Sequence, residues 1–407
     1  MENIITDPEK IDEILERGVE NIFPSKEALR EKLMSGQRIR LYCGFDPSAS
    51  ALHIGNAAML SKLAQFQELG HEVVFLVGDF TGMIGDPTDK ATTRKKMTRE
   101  EVLENAKDYK KQASGYLKFD GDNPAEIKFN SEWLDKLNFK GIIDIASNFT
   151  VQQMVQRDMF KKRMADQNLP IYLHEFLYPL AQGYDSVAMD VDLEIGGNDQ
   201  MFNMLVGRDL QKIINNKEKF VMTLKLLADE TGNKMGKTEG NAVFLNQSPE
   251  EMYIAVMSWT DGLIGIGFEM VTSIPLEEIK KIKAALEDSE QDPRVFKMVL
   301  AHEIVKINYG EDTAKKAQEY YVKTRQEKEI PDDAEPSPAP SEGILLTELM
   351  VRDGLAVSKG DARRKIEQGG VTMDGERIED YNYELGESDN GKVIKVGKFN
   401  FRKIVIE

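Results

Sequence analysis

Residues 39–80, "IRLYCGFDPSASALHIGNAAMLSKLAQFQELGHEVVFLVGDF", constrain the fold more than any other part of this chain. Two short, apolar, β-rich runs, "IRLYCGF" and "EVVFLVGDF", flank a helix-length segment that stops on Gly70. Strand, helix and strand at this spacing form a βαβ unit, which requires a parallel sheet covered by helices. Pro47 cannot continue a strand interior, so the chain must turn after Asp46. Ser48 and Ser50 are good capping residues, and the next helix is expected to begin near Leu52 or His53. The turn between a parallel strand and its helix is where α/β folds bind anions and nucleotides. A histidine in that first turn can donate to a phosphate oxygen, although His53 taken alone reads first as a surface or capping residue.

The same alternation continues downstream. "TREEVLENAKDYKKQ" opens with a capping box, Thr98 with Glu101, and "AEIKFN" reads as a strand. "TVQQMVQRDMFKKRMADQ" and "LHEFLYPLAQGYDSVAMD" read as helical, "VDLEIGG" as extended, and "DQMFNMLVGRDLQKII" as helical again. Upstream, residues 3–34 read as amphipathic helix, with Ile11, Ile14, Leu15 and Val19 at helical spacing. A doubly wound, Rossmann-like parallel-sheet domain over residues 1–247 accounts for these alternations. From 248 to 329 helical patterns dominate, which predicts an α-helical domain. Residues 330–343, with "IPDDAEPSPAPSEG", carry prolines in a polar run and read as an extended, semi-rigid linker. Residues 344–407 form a small α+β unit. In it, "SKGDARRKIEQGG" shows a Ser358/Asp361 capping pattern, and Asp374-Gly375 marks a hairpin.

Composition narrows the class. The chain has 407 residues, of which 41% are hydrophobic and 30% charged, enough for a sizeable core. No apolar run approaches the roughly 20 residues of a membrane helix. The charged opening "MENIITDPEKIDEILERG" lacks the apolar core of a secretory signal, so a cytoplasmic protein is expected. A single cysteine, Cys43, cannot form an internal disulfide, and with 4 histidines no protein-bound metal is expected. The net charge of −17 argues against a generally basic surface for nucleic acid, leaving only a local basic patch for that purpose.

A second motif, "ETGNKMGKTEGN", lies far downstream. Lys234, Lys237 and Thr238 sit in a loop rich in Gly, Asn and Thr, suited to transient stabilisation of polyphosphate charge. By itself it reads first as a solvated surface loop with ordinary lysines, and it does not satisfy the P-loop pattern.

Together, "HIGN" at the first strand–helix turn and "KMGKT" near the end of the same domain resemble the HIGH and KMSKS signatures of class I aminoacyl-tRNA synthetases. "YCGFDPSASALHIGN", "GDFTGMIGDPT", "FLYPLAQGYDSV", "LEIGGNDQMFN" and "KMGKTEGNAVFL" narrow the resemblance to the tyrosyl-tRNA synthetase family. It spans nearly the whole chain, since the C-terminal unit resembles the RNA-binding domain of the ribosomal-protein S-four type.

The resemblance implies condensation of tyrosine with ATP to tyrosyl-adenylate and pyrophosphate, then transfer to the 3′ end of tRNA, with no covalent enzyme intermediate. It implies that His53, Asn56, Lys234, Lys237 and Thr238 act in catalysis, with Mg²⁺ accompanying the ATP. Gly44, Asp46, Ser48, Gly55, Gly197 and Asp199 would join His53, Asn56 and Lys237 around ATP, Asp199 at the ribose. Tyr42 and Asp185 would read the tyrosine hydroxyl, and Asp86, Tyr178, Gln182 and Gln200 the remainder of the amino acid. Arg363, Arg364 and Lys365 are the candidate tRNA contacts, with Lys280, Lys281 and Lys283 as a second basic cluster. A homodimer is implied as well.

Two departures stand out. Asn56 replaces the second signature histidine; it keeps an N–H donor but cannot carry a positive charge. Glu194 stands where many bacterial members have Gln, and reads either as a substrate contact or as a structural carboxylate. The alternatives are a tryptophan-specific relative, against which the Tyr42/Asp185 pair argues, and an RNA-binding paralogue that has lost catalysis, against which His53, Lys234 and Lys237 argue. Cys43 reads as a small buried filler next to the nucleotide.

Overall fold

Six strands form the sheet that organises the larger part of the molecule, in the order β1-β6-β5-β2-β3-β4. They are β1 (Val19–Phe23), β2 (Arg40–Phe45), β3 (Glu72–Val77), β4 (Glu126–Phe129), β5 (Leu193–Gly197) and β6 (Phe220–Leu224). The computed structural model describes residues 4–88, 96–156, 158–165, 169–228, 242–288, 290–326, 334–340, 343–397 and 400–407. Strands β2 to β6 are mutually parallel, as the βαβ reading requires. From β2 the chain steps outward to β3 and β4, then returns to the other side of β2 for β5 and β6. The loops after β2 and β5 therefore part in opposite directions, and this switch point is where doubly wound sheets hold ligands.

The N-terminal expectation needs correction. Residues 3–34 are not one amphipathic helix but helix α1 (Pro8–Glu16), strand β1, and helix α2 (Lys26–Met34). Gly18 adopts φ +64°, which ends the helix, and β1 pairs antiparallel with β6 at the sheet edge. The sheet is thus parallel with one antiparallel edge strand.

Helix α3 (Ile54–Glu68) follows β2 and is capped by His53 itself, not by Ser48 or Ser50. Its buried face carries Ile54, Ala57, Ala58, Leu60, Leu63 and Phe66, together with Lys62. The Lys62 ammonium donates to the Ile14 carbonyl at 2.6 Å, near the end of α1. Burial, with Arg17 nearby, depresses Lys62 to about 7, against the pull of Glu13 and Glu269.

The two compact units are residues Met1–Ala314 and Lys315–Glu407. Helices Pro249–Met257, Gly262–Val271, Leu276–Leu286 and Pro293–Tyr309 make up the helical part of the first. The second unit holds a five-stranded sheet, β10-β9-β12-β13-β7, and a two-stranded one, β11-β8. These strands are β7 (Pro336–Ala339), β8 (Ile344–Leu345), β9 (Val371–Met373), β10 (Glu376–Arg377), β11 (Glu384–Leu385), β12 (Val393–Val396) and β13 (Asn400–Ile406). Residues 330–343 are therefore not purely a linker. The alternation in β7 buries Ser337 and Ala339 and exposes Pro336 and Pro338, and an edge strand tolerates proline because its outer face needs no N–H donors. The hairpin at Asp374-Gly375 joins β9 to β10, with both residues at positive φ as a tight turn requires.

Lys62 yields a pH dependence of stability. The unfolded chain keeps the lysine proton to about pH 10.4, whereas the folded chain releases it near 7, so stability rises with pH across that window. Lys62→Met should flatten the rise of melting temperature between about pH 7 and about pH 9.5; an unchanged slope would contradict this assignment.

Candidate active site

A cavity of about 1070 Å³ opens at the switch point between β2 and β5. Tyr42, Gly44, Asp46, Ser48, His53, Gly55 and Asn56 line it from β2 and the following turn. Asp86 and the β5 end, with Gly197, Asp199 and Gln200, line it from either side. Tyr178, Gln182 and Asp185 enter from helix Leu173–Ala188, where steps of four and three residues put them on one face. The structure thus brings together every sequence-predicted ATP- and tyrosine-site residue that lies among the described residues. Lys234, Lys237 and Thr238 lie outside the described residues.

The chain that follows the second motif in sequence is held against the first motif by backbone pairing. The Ile54 N–H donates to the Val243 carbonyl at 2.8 Å, and the Leu245 N–H donates to the Leu52 carbonyl at 2.8 Å. Between them, His53 and Phe244 form an antiparallel bridge.

His53 and Asn56 cap α3 jointly. The His53 Nδ1 accepts the Gly55 N–H at 3.1 Å, and the Asn56 Oδ1 accepts the His53 N–H at 2.9 Å. With Nδ1 engaged as acceptor, the neutral ring carries its proton on Nε2. Asn56 uses its oxygen in the cap, and its amide N–H group is the donor it retains in place of histidine. A Cβ on Gly55 would lie 2.9 Å from the His53 ring carbon Cε1, so the absent side chain also makes room for this cap.

Asp46 accepts from the Thr81 hydroxyl at 2.6 Å and from the Tyr178 hydroxyl at 2.7 Å. Asp86 accepts from the Thr88 N–H and hydroxyl on one oxygen, and from Gln200 Nε2 at 2.6 Å on the other. Gln182 donates to Glu194 at 3.1 Å, while its buried Oε1 has no partner among the described residues. That carbonyl oxygen, with the Asp86 carboxylate, offers the acceptors an ammonium group needs.

At the opposite end Asp185 is 2% exposed and receives the Trp133 indole N–H at 2.8 Å and the Asn130 amide at 3.3 Å. Burial pushes its carboxyl well above the usual carboxylate range; the Trp133 and Asn130 donors oppose that, and Glu194 and Asp46 reinforce it. The buried Tyr42 hydroxyl shares a hydrogen bond with Ser186 at 2.9 Å, and burial beside Glu194 and Asp185 raises it well above the ordinary phenol value. Thr81, Asn130, Trp133 and Ser186 were not found by sequence reasoning. The available signal was a polar side chain immediately beyond an apolar run, as at Asn130 after β4. Gly78 was missed too; a Cβ there would sit 2.0 Å from Asp46 Oδ1. Cys43 lines the cavity while 4% exposed, and burial pushes its thiol up.

The two basic clusters are less free than the sequence suggests. Lys280 and Lys281 pair with Glu277 and Glu278 one turn back, and Lys283 pairs with Glu269. In the C-terminal unit Lys365 donates to the Leu355 carbonyl at 2.8 Å, and Arg364 pairs with Asp361. Arg363 is exposed and stacks over the Tyr381 ring at 5.0 Å.

Known proteins match the chain along its length. The family model for class I tRNA synthetases (W and Y) matches residues 34–325, and that for the tyrosine–tRNA ligase SYY-like C-terminal domain matches residues 327–402. The tyrosine–tRNA ligase of Thermotoga maritima is 44% identical over 398 residues, covering 98% of each chain. That of Haemophilus ducreyi is 43% identical over 396 residues, covering 97% of each. Among solved structures, an Archaeoglobus fulgidus tyrosyl-tRNA synthetase complexed with L-tyrosine has a TM-score of 0.60 at 19% identity, covering 77% of this chain and 100% of its own. A C-terminally truncated mitochondrial tyrosyl-tRNA synthetase of Coccidioides posadasii gives 0.62 at 24% identity, covering 76% and 91%.

Asp185 gives a prediction with a defined sign. Its folded carboxyl holds its proton more tightly than the unfolded one, so it costs the fold increasing stability as pH rises above its ordinary value of 3.8. In melting curves Asp185→Asn should gain on the unsubstituted protein between about pH 4 and about pH 7; losing ground over that range would contradict the burial account.

With the switch-point cavity, the paired signatures and these matches in hand, the chain belongs to the tyrosine–tRNA ligase branch of the class I tRNA synthetases.

Proposed function

We propose that this protein is a tyrosine–tRNA ligase that activates L-tyrosine with ATP and transfers the tyrosyl group to tRNA. The observation that carries the reading is one cavity lined at one end by Tyr42 and Asp185 and at another by the His53/Asn56-capped helix. In the first step a tyrosine carboxylate oxygen attacks the α-phosphorus of ATP, and pyrophosphate leaves. In the second, a hydroxyl of the terminal tRNA ribose attacks the acyl carbon, and AMP leaves. No enzyme nucleophile is needed; the chain contributes position and charge stabilisation.

Tyrosine would lie with its hydroxyl toward Tyr42 and Asp185 and its ammonium toward Gln182, Tyr178 and Asp86, with Gln200 holding Asp86. Asp46, Ser48, Gly44 and Gly197 would border the nucleotide, and Asp199 its ribose. His53, donating from Nε2 at the positive end of α3, would stabilise the phosphate as charge develops, with Asn56 contributing a neutral donor. Lys234, Lys237 and Thr238 would close over the pyrophosphate, and Mg²⁺ would arrive with ATP as part of that substrate.

For tRNA, Arg363 is the strongest of the proposed contacts, because Arg364 and Lys365 are partly committed to Asp361 and Leu355. A homodimer is supported by exposed apolar side chains on the first unit, among them Phe139, Ile143, Val151 and Leu173. No helix among the described residues is long and apolar enough to cross a membrane. A cytoplasmic location is proposed from the charged opening sequence and the single cysteine.

ATP–pyrophosphate exchange tests the reading. Exchange should depend on tyrosine and fall by about a hundredfold or more with tryptophan or phenylalanine, because Asp185 would be left without its hydroxyl partner. Exchange driven by tryptophan, or none from folded protein, would overturn it.

A further inference from the structure

Phe244 lines the cavity beside the first signature. It follows the lysine motif in sequence and forms the antiparallel bridge with His53. The flanking hydrogen bonds run from the Ile54 N–H to the Val243 carbonyl and from the Leu245 N–H to the Leu52 carbonyl. That pattern makes the bridge a non-hydrogen-bonded pair, the closer of the two kinds, with Cα atoms about 4.5 Å apart. Side chains alternate in direction along each strand of such a bridge. Leu52, Ile54, Val243 and Leu245 are all buried and turn toward the core. His53 and Phe244 are half-buried, both line the cavity, and so leave the bridge on its open side. The Phe244 N–H donates to Gln247 Oε1 at 2.8 Å, so backbone contacts hold this residue in place without drawing on its ring.

Among the described residues, the other aromatic rings along this cavity are committed elsewhere. Tyr42 and Tyr178 belong to the proposed tyrosine site. Phe45 is buried and stacks on Phe75, with ring centroids 4.6 Å apart. Tyr109 is buried and donates its hydroxyl proton to the Ala49 carbonyl at 2.7 Å. Phe244 remains, at the nucleotide end, where Leu226 and Leu227 extend an apolar strip toward β5. A Cβ on Gly197 would lie 3.2 Å from Leu226 Cδ2, so this strip runs up to the glycine beside the proposed ribose site. The ATP contacts assigned above, Asp46, Ser48 and Asp199 among them, are polar and suit the ribose and phosphates. None of them offers a flat face to the base, and a purine stacks readily on an aromatic ring.

We propose that Phe244 is a nucleotide-binding residue whose ring stacks on the adenine of ATP. The inference rests on the proposed activation of tyrosine with ATP. It gives the bridged pair two separate duties, His53 toward the phosphate and Phe244 toward the base. It also gives the chain that follows the lysine motif a substrate contact of its own, distinct from those of the lysines.

The test is ATP–pyrophosphate exchange by the full-length enzyme and its Phe244→Leu and Phe244→Tyr variants. Leucine keeps an apolar side chain and the backbone bridge but removes the aromatic face, whereas tyrosine keeps that face. Phe244→Leu should raise KM for ATP about tenfold and leave KM for tyrosine within about twofold; Phe244→Tyr should keep both within about twofold. Inhibition of the same exchange by adenosine should weaken about tenfold in Phe244→Leu, while inhibition by inorganic tripolyphosphate should hold. A KM for ATP within about twofold of the unsubstituted enzyme in Phe244→Leu would overturn the proposal. So would a fall in kcat with adenosine inhibition unchanged, which would make the ring a support for His53. A defect confined to tRNA charging, with exchange intact, would overturn it in favour of contact with the terminal tRNA nucleotide. Absence of tyrosine-dependent exchange in the folded, unsubstituted enzyme would overturn the functional reading first and this inference with it.

Discussion

The short backbone zip between residues 52–54 and 243–245 is the constraint on which the active-site reading depends. Hydrogen bonds from Ile54 to Val243 and from Leu245 to Leu52, both 2.8 Å, clamp the start of α3 to the chain that follows the lysine motif. The histidine of the first signature is itself the bridging residue. Residues 52–54 and 243–245, almost two hundred positions apart in sequence, are thereby tied together at one edge of the cavity. Backbone pairing holds this geometry, and the His53 side chain caps α3 through Nδ1.

The rest of the site is a set of buried polar groups that hold one another in place. Asp46, Thr81, Asn130 and Asp185 form a chain of hydrogen bonds across the ends of β2, β3 and β4 and onto helix Leu173–Ala188. Lys219, Glu194, Ser186 and Tyr42 form a second chain behind it. Such networks are costly when partly satisfied and rigid when complete. Gln182 Oε1 has no partner among the described residues and burial raises the carboxyl of Asp185, and both residues line the cavity. Cost is concentrated where a ligand can relieve it.

Much of this was legible in the sequence, and the physical reasons for success and failure differ by element. The β2–α3–β3 unit was legible because apolar periodicity is a local signal. The residues named from the order of motifs, from Tyr42 to Gln200, line one cavity. The cap of α3 was only partly legible: His53 stood as one capping candidate beside Ser48 and Ser50, which have the better intrinsic propensity, and backbone pairing with Val243 and Leu245 favours the later start. Residues 3–34 misled because Val19, at helical spacing from Ile11 and Ile14, belongs to a strand whose partner, β6, lies some two hundred residues on. The donors to Asp185, from Asn130 and Trp133, were invisible for the same reason. The basic clusters looked freer than they are because sequence does not reveal that Lys283 is drawn to Glu269 or Lys365 to a carbonyl.

The central proposal is that His53 and Lys237, from the two signature motifs, act on one phosphate. It is tested most directly by a double-mutant cycle on the pre-steady-state rate of tyrosyl-adenylate formation, using His53→Ala, Lys237→Ala and the pair. If both side chains stabilise the same developing charge, the double variant should be less impaired than the product of the single losses, with a coupling of about 1 kcal/mol or more. Losses that multiply without coupling would show that the motifs act independently, and would contradict the account.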